Sequence, residues 1–385
     1  MDALRLILAG GVALVALGAL AQLVWGWLDI PSLADVPAPP AWTRRPRVSV
    51  IVAARDEERH ILAAVTALLG QDYPDYQVVV VDDRSSDRTS EIIARVSRQD
   101  ARVRALRVNE LPDGWLGKNH ALHLGAESAD GELLLFADAD VVLEPSALSR
   151  AVRLFGVERA DHLAVAPALD LPTWPLALVV NYFMMWFLLW LRPWRARNPR
   201  SSAFIGIGAF NLVRASVYRG VGGHERIRLR PDDDIMLGKL LKGAGAAQRV
   251  ADGTGVVRVE WYATLGQLAR GFRKNAFAGL GYSVWMVAGA VLGNLVLAVW
   301  PFIAVWITGG AERALYATAA IAQVVAYGGA ASSQGARRWL APLYPLASVL
   351  FVAILCAAVS RTLRRNGIEW RGTHYRLEEL RGNRV

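Results

Sequence analysis

The chain has 385 residues, 54% of them hydrophobic, a formal charge of +9 and a single cysteine. That length and apolarity fit one sizeable domain combined with membrane segments better than two soluble domains. One cysteine excludes an internal disulfide framework or thiolate metal site, and the absence of a basic helix or interleaved aromatic strand argues against nucleic-acid binding.

In chain order, residues 6–28 carry no charged side chain. At about 1.5 Å per residue such a run reaches roughly 34 Å, enough to cross a bilayer core. Ala19-Leu20-Ala21 looks like a signal-peptidase site. Little positive charge precedes the run, however, and it continues through Trp25 and Trp27, so residues 1–30 read as an uncleaved anchor. Residues 31–46, with Asp35-Val36-Pro37-Ala38-Pro39-Pro40, read as a stiff linker.

From residue 47 apolar runs alternate with helical spacing. Strands are predicted at 48–53, 77–81, 103–108 and 132–137, and helices at 57–69, 88–97 and 117–128. This alternation implies a mostly parallel, Rossmann-like sheet with helices on both faces. Three of its strands run into acids: Ala53-Ala54-Arg55-Asp56-Glu57-Glu58, Asp82-Asp83-Arg84-Ser85-Ser86-Asp87 and Ala137-Asp138-Ala139-Asp140. Ligands bind at the carboxyl edge of open α/β sheets, and clustered carboxylates there repel one another unless a cation or donor-rich ligand intervenes. Asp138 and Asp140, one residue apart, suit Mg²⁺ or Mn²⁺ clamping a diphosphate, and an acid at the second strand end suits ribose hydroxyls or a base N–H.

Residues 173–191 are apolar and aromatic, with Arg192, Trp194, Arg195 and Arg197 following. Because soluble-looking sequence resumes afterwards, this segment reads as a helix lying in the membrane interface. Asp232-Asp233-Asp234 opens an amphipathic helix, and three acids there also complement a helix dipole. Gly206-Ile207-Gly208 permits close backbone approach, and His224 in Gly222-Gly223-His224-Glu225 reads as an ordinary surface-turn histidine. Residues 276–360 hold three further apolar runs, at 282–308, 314–331 and 340–360; a basic tail, 361–385, ends the chain. Arg44-Arg45-Pro46-Arg47, 192–200, 226–230 and the tail hold most of the excess charge, as positive-inside placement and anionic headgroups favour.

The ordered set Val-Ser-Val-Ile-Val-Ala-Ala-Arg-Asp-Glu-Glu (48–58), Gln71-Asp72-Tyr73-Pro74, Asp82-Asp83-Arg-Ser-Ser-Asp87 and Asp138-Ala139-Asp140 resembles the inverting family 2 glycosyltransferases over residues 48–275. The resemblance implies a GT-A nucleotide-diphospho-sugar transferase domain at 47–275, flanked by transmembrane helices. It further implies that Asp82 or Asp83 contacts the nucleoside, with Ala53, Arg55 and Glu57 beside it, and that Asp138 and Asp140 hold metal and diphosphate. Asp56 stands where the family usually has Asn. Leu111-Pro112-Asp113-Gly114-Trp115-Leu116-Gly117-Lys118-Asn119 is similar to a loop of lipid-directed members, with Lys118 near a helix start suited to a donor phosphate. Asp234 matches the family's base, with Asp233 in place of the preceding glutamate. Gln267-Leu268-Ala269-Arg270-Gly271 resembles the Gln-x-x-Arg-Trp box with Gly271 replacing tryptophan, which implies transfer of one or few sugars. Gln267, Arg270 and Lys274 are then diphosphate contacts. Residues 271–277 resemble members that glycosylate carotenoids and hopanoids.

The expected function is a multi-pass enzyme of the cell (inner or plasma) membrane with a cytoplasmic catalytic domain. It would move sugar from a nucleotide-diphosphate donor to a lipid acceptor. A polyprenyl-phosphate acceptor is the near alternative. A nucleotidyltransferase is disfavoured because Ala54-Arg55-Asp56-Glu57 is no glycine-rich phosphate loop. An inactive membrane scaffold is disfavoured by the intact acids. An anchor plus three later spans would export the basic tail, against the positive-inside rule, so either one of the last three segments is re-entrant or 282–308 bends at Pro301.

Overall fold

Val48–Ala54, apolar but for Ser49, is buried at every position, as a strand must be when helices cover both faces of a parallel sheet. The computed structural model describes residues 2–37, 45–333, 337–370 and 372–383. They form two units, one of Ile30–Asp170, Pro193–Trp261 and Gly382–Val385, the other of Met1–Asp29, Leu171–Arg192 and Tyr262–Arg381.

The strands of the first unit are β1 (Val48–Ala54), β2 (Tyr76–Asp83), β3 (Val103–Val108), β4 (Leu133–Asp138), β5 (Val141–Leu143), β6 (His162–Ala166), β7 (Ala168–Leu169), β8 (Asn211–Arg214), β9 (Gln248–Asp252) and β10 (Val257–Val259). Among the described residues seven of them make one sheet, ordered β3-β2-β1-β4-β8-β6-β9, and β5-β10-β7 make a smaller one. β3, β2, β1 and β4 are parallel, and β8 runs antiparallel to both β4 and β6. This is the mostly parallel sheet expected of a GT-A domain.

Side chains of successive strand residues point to opposite faces. Val50, Val52, Val78, Val80 and Leu135 accordingly pack on one side with Ile61, Val65 and Leu148. Ile51, Val79, Val81, Leu134 and Phe136 pack on the other with Leu122, Leu237 and Leu241. Each such side chain contributes roughly 1.5–3 kcal/mol by leaving water. β1 lies between β2 and β4 with Ala54 opposite Asp82 and Ala53 opposite Asp138, so the acidic ends of β2 and β4 meet at the switch point beside β1.

Most element ends lie within two residues of expectation, and one helix start differs by four. The first helix starts at Ile61 rather than residue 57, because the Glu57 and Glu58 amides donate to Thr89 Oγ1 (2.8 Å) and Asp87 Oδ2 (3.1 Å) instead of entering a helix. Residues 30–37 are docked rather than free: Leu33 is fully buried, its amide donates to Asp252 O at 2.7 Å, and Arg150 holds the Val36 carbonyl at 2.5 Å. Ala38, Pro39 and Pro40 of the expected linker, with Arg44 and Arg384 of the basic clusters, lie outside the described residues.

The second unit is helical. Among the described residues five segments are long and apolar enough to cross a membrane: Ala3–Asp29, Trp174–Arg197, Val284–Ile307, Gly310–Ala331 and Arg338–Arg364. The third contains a π-helical turn, Leu295–Val299, just before Trp300-Pro301, where proline lacks an N–H and crowds the carbonyl four residues back. Trp174–Leu191 is not a one-faced surface helix. Leu176, Leu178 and Tyr182 are fully buried, Tyr182 packs on Tyr344 and Phe183 on Phe272, while Trp190 stays 64% exposed.

Candidate active site

β4 ends at Asp138, whose amide donates to Gly208 O at 3.0 Å. The amide of Gly208 in turn donates to Asp234 Oδ2 at 2.7 Å, and Asp234 Oδ1 accepts from the Ile235 amide at 2.9 Å. Gly208 thus separates two carboxylates: a β-carbon there would sit 2.6 Å from Asp138 Oδ2 and 3.4 Å from Asp234 Oδ2. The close approach that glycine allows here is to the chain's own acids.

Lys118, the second residue of the helix Gly117–Glu127, lies 2.8 Å from Asp138 Oδ1 and 3.3 Å from Asp233 Oδ2. Burial opposes its charge, but Asp138, Asp233 and Asp234 outweigh that and raise the ammonium's pKa above the ordinary lysine value. The loop before Asp232 is tied to the same helix start. Leu116 N donates to Arg228 O at 2.8 Å, and the buried Asn119 amide donates to Ile227 O (2.7 Å) and Arg230 O (2.9 Å). Asp232 is held by both Arg230 nitrogens, at 2.9 and 2.6 Å, so of the three acids only Asp233 and Asp234 face the pocket. Both also stand in the first turn of Asp233–Gly243.

Asp234 is pushed up to about 7 by burial and by Asp233, with Lys118 pulling the other way. Asp140 is also pushed up to about 7, by burial, Asp138 and Glu57. At the β2 end Asp83 is fully buried, 2.8 Å from Arg84 Nε and 3.8 Å from Arg55 Nη1. Asp82 Oδ1 accepts from the Ser85 amide at 3.1 Å. Asp82 Oδ2 and Asp83 Oδ2 are buried without a hydrogen-bond partner among the described residues, acceptors that a donor-rich ligand would satisfy.

Ala53, Arg55, Glu57, Asp82, Asp83, Lys118, Asp138, Asp140, Asp233 and Asp234 therefore all belong to the α/β unit, whereas Gln267, Arg270 and Lys274 belong to the helical one. There Gln267 Oε1 accepts from the Ala263 amide at 2.8 Å, Arg270 lies on the same helix, Leu265–Gly279, and the Lys274 ammonium sits 4.6 Å from the centre of the Trp370 ring. Gly271, where the family has tryptophan, leaves room for Tyr262: a β-carbon would lie 2.0 Å from its hydroxyl.

The structure corrects the expectation for His224 and adds Asn211. His224 is buried rather than on a surface turn, with Nδ1 2.9 Å from the Tyr218 hydroxyl and its ring against Phe136. Burial, then Lys118 and His123, hold it down to about 3, so it is neutral. Asn211, at the start of β8 and opposite Phe136, lines the pocket with Lys118, Asp138, Gly208, Asp233 and Asp234. The apolar run 212–213 after it marks a strand, but no motif marks the asparagine.

Residues 49–222 match the family described as Glycosyl transferase family 2. The chain is 32% identical over 126 residues to a beta-monoglucosyldiacylglycerol synthase of Trichormus variabilis, covering 32% of this chain and 26% of that protein. It is 24% identical over 234 residues to a 4,4'-diaponeurosporenoate glycosyltransferase of Staphylococcus haemolyticus, covering 60% and 61%. Both matches thus leave more than a third of the relative outside. Among solved structures, the mannosyltransferase PcManGT from Pyrobaculum calidifontis in complex with GDP-Man and Mn²⁺ is similar with a TM-score of 0.49 and 21% identity, over 93% of this chain and 99% of that one.

Proposed function

We propose, for a chain that carries a glycosyl transferase family 2 domain, that it is an inverting glycosyltransferase moving one sugar from a nucleotide-diphosphate donor to a membrane lipid. The observation that carries this reading is the bridge Asp138–Gly208–Asp234, with hydrogen bonds of 3.0 and 2.7 Å. It sets a candidate cation-binding acid and a base candidate on either side of one glycine.

Inversion needs a carboxylate that takes the acceptor hydroxyl's proton as that oxygen attacks C1 from the face opposite the leaving group. Asp234 suits this role, because a carboxyl pushed up to about 7 matches the working pH. Asp233, 3.3 Å from Lys118, is instead committed to the ammonium. Lys118 can follow the diphosphate as negative charge builds on it, a charge-assisted contact made without reorganising the site. Asp83 and Asp82 would grip the nucleoside.

Asp138 and Asp140 fit a divalent cation. Two acids, one of them pushed up to about 7, form a site short of positive charge. Among the described residues no group of three or more acids, histidines or cysteines is placed to hold a metal ion by itself, and Mg²⁺ is commonly held by one or two carboxylates with substrate phosphates and water. When bound, Mg²⁺ or Mn²⁺ supplies charge neutralisation for the diphosphate.

A lipid acceptor is supported by the five apolar segments and by the names of relatives that act on a diacylglycerol and a carotenoid acid. The chain on both sides of Trp174–Leu191 belongs to one sheet, β4 pairing with β8 and β6 with β9. This pairing supports the reading that both ends of the helix lie on one side of the membrane and that it dips into the bilayer rather than crossing it. The deciding experiment incubates membranes with labelled nucleotide sugars and extracts the lipids. An acid-stable, metal-dependent glycolipid is expected; label released by mild acid would identify a polyprenyl-phosphate acceptor instead, and no labelled lipid with any donor would sink the proposal.

A further inference from the structure

Behind Asn211 lies a buried chain of side chains whose donors and acceptors can be assigned without ambiguity. Gln248 Oε1 accepts from the Ile205 amide at 3.0 Å, and Gln248 Nε2 donates to Gly238 O at 2.9 Å. These two main-chain partners fix the orientation of an amide whose nitrogen and oxygen are otherwise interchangeable. The second hydrogen on Gln248 Nε2 then faces His162 Nδ1 at 2.9 Å, which must accept it. With Nδ1 accepting, His162 is neutral and carries its proton on Nε2, directed at Asn211 Oδ1. Burial, which holds His162 down to about 4, favours the same neutral form. The Asn211 oxygen is thereby held at His162, and the end of the amide that is left for the pocket Asn211 lines is its NH₂ group.

We propose that Asn211 is a ligand-binding residue of this pocket. Its side-chain NH₂ would donate to an acceptor oxygen of the nucleotide sugar, and His162 and Gln248 would be positioning residues that keep the amide turned that way. The proposal rests on the glycosyltransferase reading and goes beyond it, because a flipped asparagine would offer its carbonyl oxygen to an anionic substrate. The three residues are brought together by the neighbouring strands β8, β6 and β9. Gln248 also ties down Gly238 O, in the helix that begins with Asp233, and Ile205 N, three residues before Gly208. The pocket donor and the base candidate therefore share one support.

The test uses the purified full chain. ¹⁵N-histidine spectra should show His162 protonated on Nε2 and bare on Nδ1 at neutral pH. Binding of UDP-glucose, UDP, GDP-mannose and GDP is then compared between wild type and Asn211→Asp, an isosteric change that swaps the donor for an acceptor. We expect about a tenfold or greater loss of affinity for the sugar nucleotide that wild type binds, with little change in melting temperature. An equal loss for the free diphosphate assigns the partner to a phosphate oxygen; loss for the sugar nucleotide alone assigns it to a sugar hydroxyl. Gln248→Glu should reverse the His162 tautomer and weaken the same ligand. A His162 protonated on Nδ1, or unchanged binding in a folded Asn211→Asp protein, overturns the assignment alone. Wild type that binds none of the four overturns the glycosyltransferase reading, and this assignment with it.

Discussion

The Lys118 ammonium lies 2.8 Å from Asp138 Oδ1, the spot at which a cation or a departing phosphate's counter-charge is needed. It also lies 3.3 Å from Asp233 and lowers the pKa of Asp234. Lys118→Met should therefore do two things. Turnover should fall by about 10²-fold, the scale seen when one preorganised charge is removed from a transition state. The acid limb of the pH profile should move to higher pH, since Asp234 loses a neighbour that favours its ionised form. Steady-state rates across pH 5–9 measure both, and a reduced rate with an unmoved limb would mean that Lys118 acts on substrate alone.

Asp234 gives the pH dependence itself. As the proposed base, Asp234 must be ionised, and burial and Asp233 push it up to about 7. Hence kcat/KM should rise with pH through that value and level off above it. Asp234→Asn should abolish transfer while leaving nucleotide-sugar binding within a few-fold of wild type. Asp233→Asn, which frees Lys118 from one acid, should reduce rate less. An active Asp234→Asn protein beside an inactive Asp233→Asn one would exchange the two roles.

Two buried histidines predict how stability responds to acid. His162 and His224 are held down to about 4 and about 3, in both cases chiefly by burial, against 6.5 for the free side chain. Between these values the unfolded chain binds a proton that the folded chain refuses, so stability rises with pH. Their contribution is complete above about pH 6.5 and is lost as pH falls toward 4, on the order of 3 kcal/mol for His162. Melting temperature followed from pH 7 to 4.5 should drop steeply for wild type. The slope should flatten in His162→Gln and His224→Asn; an unflattened slope would assign the acid sensitivity to other groups.

The sequence made the acids of the site readable because local pattern and position coincide. β1, β2 and β4 are largely apolar, interrupted only by Ser49 and Gln77, and each reaches an Asp at its end or within two residues of it; a parallel sheet delivers all such ends to one edge. His162, Asn211 and Gln248 could not be found that way. They sit on three strands of a region where direction reverses, β8 running against β6 and β4, and only the pairing brings them together. His224 was misjudged for a related reason: its turn is glycine-rich, like surface turns, yet Tyr218 and Phe136 close over it. For Trp174–Leu191 length and apolarity were legible, but not its neighbours, since its burial depends on Tyr344 and Phe272 far along the chain.

That helix gives the last prediction. It has 18 residues, roughly 27 Å at about 1.5 Å per residue, so length alone would allow it to cross. The sheet argues against it. β4 precedes the helix and β8 follows it, and the pair is joined in register from Leu133–Arg214 to Phe136–Asn211. Hydrogen-bonded strands cannot lie on opposite sides of a bilayer, so residues just before and just after the helix must share a side. In a Cys356→Ser background, single cysteines introduced as Thr173→Cys and Arg195→Cys should both react with an impermeant maleimide in inverted vesicles, or neither should. Labelling of one position from each side would show a true crossing, and would mean that the sheet joining β4 to β8 does not form in the membrane-bound protein.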